Sequence, residues 1–217
     1  MSATTEGIRE TRRRETLAQL LDVAWALSRE HGVAALSLHE LARAVGMRQP
    51  SLYTYFDSKH GLYDLMYRDA NTELLARAQA LQPSGDPVAD LHAFPRVLVD
   101  FAAEDAARYQ LVFLRPIPGF VPSAEAYEPA REFLALFVRR LAAVGVTEPG
   151  DVDLFVAGIA GLVDAQVAND PTGDRWTRHL DRVLDLYLAA LAPERATKAS
   201  PATEAARRQR RPTKGRP

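Results

Sequence analysis

The chain has 217 residues, of which 47% are apolar and none is cysteine. That is enough for one large domain or a small one fused to a larger, and it excludes a disulfide framework, a thiolate metal site and a cysteine nucleophile. The formal charge of −1 hides a polarity: +1 over residues 1–60, −8 over 61–192 and +6 over 193–217, so any contact with nucleic-acid phosphate is expected at the ends.

In chain order, the polar start "MSATTEGIRETRRRE" has no apolar stretch behind it to act as a signal peptide. No run approaches the ~18 apolar residues of a membrane span, and the expected location is cytoplasmic. Period 3.6 recurs throughout, with no convincing alternation of period two. A first helix is expected over about 9–31, with Leu17, Leu20, Leu21, Ala24 and Leu27 on one stripe. Ser37 and Glu40 then form a capping box for a short helix over 37–45, whose inner face is Leu38, Leu41, Ala42 and Val45 and whose C-terminal cap is Gly46. A third helix follows over 49–56, and Ser58 caps a long fourth one to about Leu81. "QPSGDP" at 82–87 marks a boundary. Helices over about 87–104, 105–114, 124–145, 148–169 and 174–191 complete an all-α fold of about nine helices. "RPIPGFVPS" at 115–123 has three prolines and is expected to be non-helical. From Pro193 to Pro217 no apolar residue is larger than alanine, so a disordered basic tail is expected.

The helices over 9–31, 37–45 and 49–56, with a glycine turn between the last two, describe a helix-turn-helix unit. On a wheel of about 100° per residue, Leu52 and Phe56 face inward. Pro50, Ser51, Tyr53 and Thr54 face out, Tyr55 lies on the margin, and Arg48 and Gln49 lead the helix. Arg and Gln suit base edges, hydroxyls suit phosphate or bases, and apolar ring edges meet the thymine methyl. The wheel alone is equally compatible with an ordinary small surface helix.

"LSLHELARAVGMRQPSLYTYFDSKHGLYDLM" resembles the DNA-binding domain of the TetR family of bacterial one-component regulators, over about Thr11 to Leu75. The sharpest points are the glycine turn, Ser51-Leu52-Tyr53, Phe56, Ser58-Lys59 and Leu62, and "RQPSLY" is of the tetracycline-repressor type. The resemblance implies that the helix over 49–56 enters the major groove and that Lys59 contacts phosphate. It also offers the helix starts at Ser37 and Ser58 as phosphate sites. Arg48 stands where many members carry Ser or Thr, so that usual cap is lacking. The implied organisation is a DNA-binding domain over 1–60, a helical effector-binding and dimerisation domain over 61–192, and the tail over 193–217.

Specific binding by one such unit usually requires a symmetric dimer on a palindrome. The resemblance implies that the last two helices pair with their symmetry mates. Small or apolar positions there are Ala157, Gly158, Gly161, Leu180, Leu184, Tyr187 and Leu188; the same residues would also serve to complete the core of a monomer. Family members usually enclose a ligand between the middle helices. The candidates are Phe101, Tyr109, Phe113, Phe120, Phe137 and Trp176, with Arg108 and Gln166 as polar groups, and core packing is the competing role for each aromatic. Such a pocket suits a mainly apolar or aromatic molecule.

The five histidines are dispersed, and "HEL" at 39–41 is not HExxH because position 43 is arginine. GxSxG, P-loop and GxGxxG motifs are absent. The expectation is a ligand-responsive regulator, most commonly a repressor, acting as a homodimer on operator DNA, with no enzymatic activity, cofactor or metal. The alternative is a helical small-molecule sensor that acts through protein partners without DNA.

Overall fold

The computed structural model describes residues 2–199. It is all-helical, with nine α-helices among the described residues: α1 Ser2–His31, α2 Leu38–Ala44, α3 Gln49–Leu52, α4 Lys59–Gln79, α5 Pro87–Glu104, α6 Ala106–Phe113, α7 Ala124–Ala143, α8 Pro149–Asn169 and α9 Leu180–Ala199. Short 3₁₀ turns follow α1 (Val33–Ala35) and precede α9 (Thr177–His179). None of the described helices is long and apolar enough to cross a membrane.

The helix order matches the sequence, while four boundaries differ. α1 starts at Ser2, well before the expected residue 9. α3 is a single turn, because beyond Leu52 the backbone tightens: Tyr53 N–H reaches Pro50 O and Tyr55 N–H reaches Leu52 O. α9 begins at Leu180, behind the Thr177–His179 turn and not near residue 174, and continues to Ala199, so the expected disorder from Pro193 is corrected for residues 193–199; residues 200–217 lie outside the described ones.

The chain divides into two compact units, Met1–Ser84 with Ala93–Phe137, and Gly85–His92 with Val138–Pro217. In the first unit Leu20, Ala24 and Trp25 of α1 are buried along with Leu41 of α2, Leu52 of α3 and Leu62, Met66, Ala70 and Leu74 of α4. α4 packs on α6, and α1 packs on α2, α4 and α6. The Tyr63 hydroxyl on α4 donates to Val33 O at 2.9 Å, tying α4 to the turn after α1. In the second unit α8 lies against α9, with Phe155, Ile159, Val163, Leu180 and Leu184 buried. His92 there sits against two aspartates one turn apart on α9, 3.0 Å from Asp181 and 3.2 Å from Asp185.

Candidate nucleic-acid interface

The turn between α2 and α3 is set by local hydrogen bonds. Ser37 caps α2 by accepting from Glu40 N–H at 3.4 Å, one half of the capping box. At the other end Gly46 has φ +69, a left-handed conformation suited to glycine. Its N–H bonds to Arg43 O and Met47 N–H to Ala42 O, the paired bonds that close a helix C-terminus. Arg48 heads α3 with no side-chain cap, and proline follows in the first turn, where a missing N–H costs no intrahelical bond.

Two side chains anchor this segment: Leu52 is fully buried and Phe56 nearly so. The opposite face is open. Arg48, Pro50, Ser51 and Thr54 are exposed, and Gln49 and Tyr55 are half-buried. Tyr53 leaves 49% of its surface in solvent. The structure therefore gathers the expected residues from Arg48 to Tyr55 on one surface, although from Tyr53 onward a tight turn presents them. The Thr54 hydroxyl donates to Ser51 O at 2.8 Å.

Lys59 lies half-buried at the start of α4, its ammonium 3.5 Å from Ala34 O and 5.5 Å from the Tyr63 ring centroid. Ser58 accepts from Gly61 N–H at 3.0 Å, and its hydroxyl is 3.2 Å from the Asp57 carboxylate. An anionic side chain thus already stands beside the α4 N-terminus, which opposes a phosphate at the same point. Ser37 is half-buried.

One group of residues was absent from the sequence reading. Arg9, Arg12, Arg13 and Thr16 of α1 face Thr54 and Tyr55 across an open cleft of about 310 Å³, and Arg13 Nη2 donates to Thr54 O at 3.4 Å. Their spacing of i, i+3, i+4 and i+7 is one helical face. All four positions lie within the helix expected from residue 9, but the face is polar and carries no apolar stripe to single it out.

Behind this surface an ionic network joins three helices. Trp25 Nε1 of α1 donates to Asp69 Oδ2 of α4 at 2.8 Å. Arg108 of α6 lies over the Trp25 ring at 5.0 Å and pairs with Asp69, Glu73 and Asp105. Burial pushes its guanidinium below the ordinary arginine range, against the pull of Asp69. Arg77 bridges Glu73 and Glu104, and that hydrogen bond holds Glu104 below the usual carboxylate range.

The 115–123 loop is fixed to α4. Ser123 donates to Asp64 through its N–H at 2.6 Å and its hydroxyl at 2.7 Å. Phe120 lies 5.9 Å from the Tyr63 ring and 6.3 Å from Tyr67.

The ligand candidates fall in both units. In the first unit Phe101 is buried under Arg77, Tyr109 is buried and stacked on the exposed Phe113, and Phe137 is stacked on Phe94. Arg108 is committed to the network above. Gln166 and Trp176 belong to the second unit, where Gln166 Oε1 accepts from Trp176 N–H at 2.8 Å and Thr177 N–H at 3.3 Å. Its amide nitrogen donates to Asp170 O, so this side chain fastens the loop before α9. The Trp176 indole N–H is buried with no partner among the described residues.

The dimer candidates separate as well. Leu180 and Leu184 are buried in the core of their own chain, the competing role that the sequence leaves open for them. Gly158 faces Tyr187 of the same chain so closely that a Cβ would meet the ring at 2.6 Å. Tyr187 and Leu188 are half-buried, while Ala157 and Gly161 are exposed. Leu154 (54%) and Leu186 (59%) are open to solvent and were not among the candidates.

Residues 20–66 match the family model described as bacterial regulatory proteins, tetR family. The HTH-type transcriptional regulator Rv1816 of Mycobacterium tuberculosis is 29% identical over 119 residues, 52% of this chain and 50% of that protein. The HTH-type transcriptional repressor KstR2 of Rhodococcus jostii is 34% identical over 90 residues, 41% of this chain and 43% of the other. The chain thus matches about half the length or less of these relatives. A crystal structure of the regulatory protein SCO4313 superposes with a TM-score of 0.67 at 27% identity, covering 85% of this chain and 98% of that one.

Proposed function

From the premise that this chain carries the N-terminal domain of the TetR family of bacterial regulators, we infer that it is a DNA-binding transcriptional regulator and not an enzyme. It acts as a homodimer on a palindromic operator, as a repressor released by a small, mainly apolar or aromatic molecule. The observation that carries this reading is the open face of the Arg48–Tyr55 segment, with Tyr53 half-exposed above the buried anchors Leu52 and Phe56. A ring of that size in solvent is a poor choice for a surface helix and a good one for a groove that presents thymine methyls. On this reading residues 1–60 form the DNA-binding domain and 61–192 the effector and dimer domain, and the place of action is the bacterial cytoplasm.

The ionic network supports ligand control of this surface. α4 carries Lys59 at one end and Asp69 and Glu73 further along, and Arg108 of α6 grips both carboxylates. A ligand that favours a different α6 position shifts α4 and with it the recognition segment. Coupling of this kind is typically ~1–3 kcal/mol and reciprocal, so operator DNA weakens ligand binding by the same factor. In the second unit the buried Trp176 indole N–H has no partner among the described residues and is a donor that a ligand acceptor would satisfy.

The test is selection of binding sequences from a randomised duplex library of roughly 30 base pairs, enough for two half-sites one helical turn apart. The expected product is an inverted repeat bound by the wild-type chain, with specific binding lost in Tyr53→Ala while helix content is unchanged. Recovery of no sequence in the presence or absence of cell-extracted small molecules would favour a sensor that works through protein partners.

A further inference from the structure

Three arginines line the cleft between the first turns of α1 and the turn after α3: Arg9, Arg12 and Arg13, joined by the side chains of Thr16, Thr54 and Tyr55. None of the three guanidiniums pairs with a carboxylate among the described residues. Arg13 is held instead by a carbonyl, Thr54 O at 3.4 Å. Like charges three and four residues apart repel on a helix. Glu10 and Glu15 lie three residues from Arg13 and Arg12, but neither lines the cleft and neither forms an ion pair with these arginines among the described residues. The cleft is open to solvent and lies beside Thr54 and Tyr55, the last residues of the recognition segment. A concentration of uncompensated guanidinium donors with hydroxyls at its edge matches phosphate oxygens, which arginine binds through its planar fork.

We propose that this cleft is a second DNA-contact site, in which Arg9 and Arg12 hold backbone phosphate of the same duplex that the recognition segment reads. The proposal rests on the reading of the chain as a DNA-binding regulator and adds a sequence-independent anchor to it. Arg13, which also lines the cleft, donates to Thr54 O. Phosphate contacts position a protein without reading sequence, so the site's signature is in the salt dependence of binding and not in base preference.

The experiment measures affinity of the full chain for a mixed-sequence duplex of roughly 30 base pairs across 50–200 mM salt. The variants are Arg9→Gln/Arg12→Gln, Arg9→Lys/Arg12→Lys and, as a control on another face of α1, Arg14→Gln. Each phosphate contact contributes about 0.9 to the slope of log affinity against log salt. The glutamine pair is expected to lower that slope by about 1.8. Its deficit relative to wild type then shrinks about tenfold between the two salt limits. The lysine pair and Arg14→Gln are expected to keep the wild-type slope, and all variants the wild-type unfolding temperature. Each single glutamine variant is expected to give half the effect. A glutamine pair with the wild-type slope overturns the proposal, as does an equal drop in Arg14→Gln, which would reflect net charge alone. A wild-type chain that binds no duplex at any salt overturns the DNA-binding reading, and this proposal with it.

Discussion

Tyr63 shows how one side chain secures the base of the recognition surface. It is 1% exposed, its hydroxyl donates to Val33 O at 2.9 Å, and its ring meets Lys59 on one side and Phe120 on another. Burial pushes the phenol up to about 12 from an ordinary value of 10.0. Tyr67 is also pushed up to about 12, first by burial and then by the neighbouring Tyr127. The sign of the consequence follows from proton counting. Between pH 10 and 12 the unfolded chain has released these protons and the folded chain still holds them, so stability present below pH 10 falls as pH rises. The limiting slope is about 1.4 kcal/mol per pH unit for each tyrosine. Denaturant unfolding from pH 9 to 12 is expected to show Tyr63→Phe losing stability less steeply than wild type. Equal slopes in the two proteins would place the Tyr63 phenol at its ordinary value.

At the scale of elements, α8 and α9 are joined through a glycine. A Cβ at Gly158 would lie 2.6 Å from Tyr187 Cε2 and 2.7 Å from its hydroxyl oxygen, and Tyr187 also packs on Phe155 at 5.2 Å. The ring tip must shift and loosen its contact with Phe155, so Gly158→Ala is expected to cost about 1 kcal/mol, the overpacking being partly offset by the helix-propensity gain of about 1 kcal/mol over glycine. Thermal unfolding checks this, and Tyr187→Leu in the Gly158→Ala background should recover part of the loss. The same glycine marks a limit of sequence reading. Its smallness correctly signalled close helix approach, but the sequence does not say whose helix approaches, and here it is the chain's own α9. Local signals were legible wherever the cause was local: Ser37, Gly46 and Ser58 bound their helices as read, and the wheel placed Leu52 and Phe56 inward. The short α3 was missed because the tightening after Leu52 changes the hydrogen-bond pattern without changing the apolar spacing. The arginine face of α1 was missed because a polar helix end carries no apolar stripe to announce it. The 115–123 loop could not be placed because Asp64 and Tyr63, which hold it, are more than fifty residues away in the chain.

For the whole molecule, the proposed dimer must use apolar surface that the chain leaves open. Buried Leu180 and Leu184 are spent on the second unit's own core. The α8–α9 pair still exposes Leu154 and Leu186 over more than half their surfaces, with Val156 at 37% and Ala157 and Gly161 also open. Large apolar side chains in that number on two adjacent helices mark an association surface better than scattered exposure does. Both side chains keep more than half their surface in solvent, so Leu154→Glu/Leu186→Glu is expected to keep wild-type helix content and to be a monomer. Light scattering on a sizing column then distinguishes a wild-type dimer from a variant monomer. Each monomer retains an intact recognition segment, but two half-sites are no longer bound as one event. Bivalent engagement gains ~10²–10⁴ in affinity, so the variant is expected to lose at least about a hundredfold on an inverted repeat and far less on an isolated half-site. A variant that stays dimeric would move the interface to another face, and one that is monomeric with full operator affinity would remove the dimer from the mechanism.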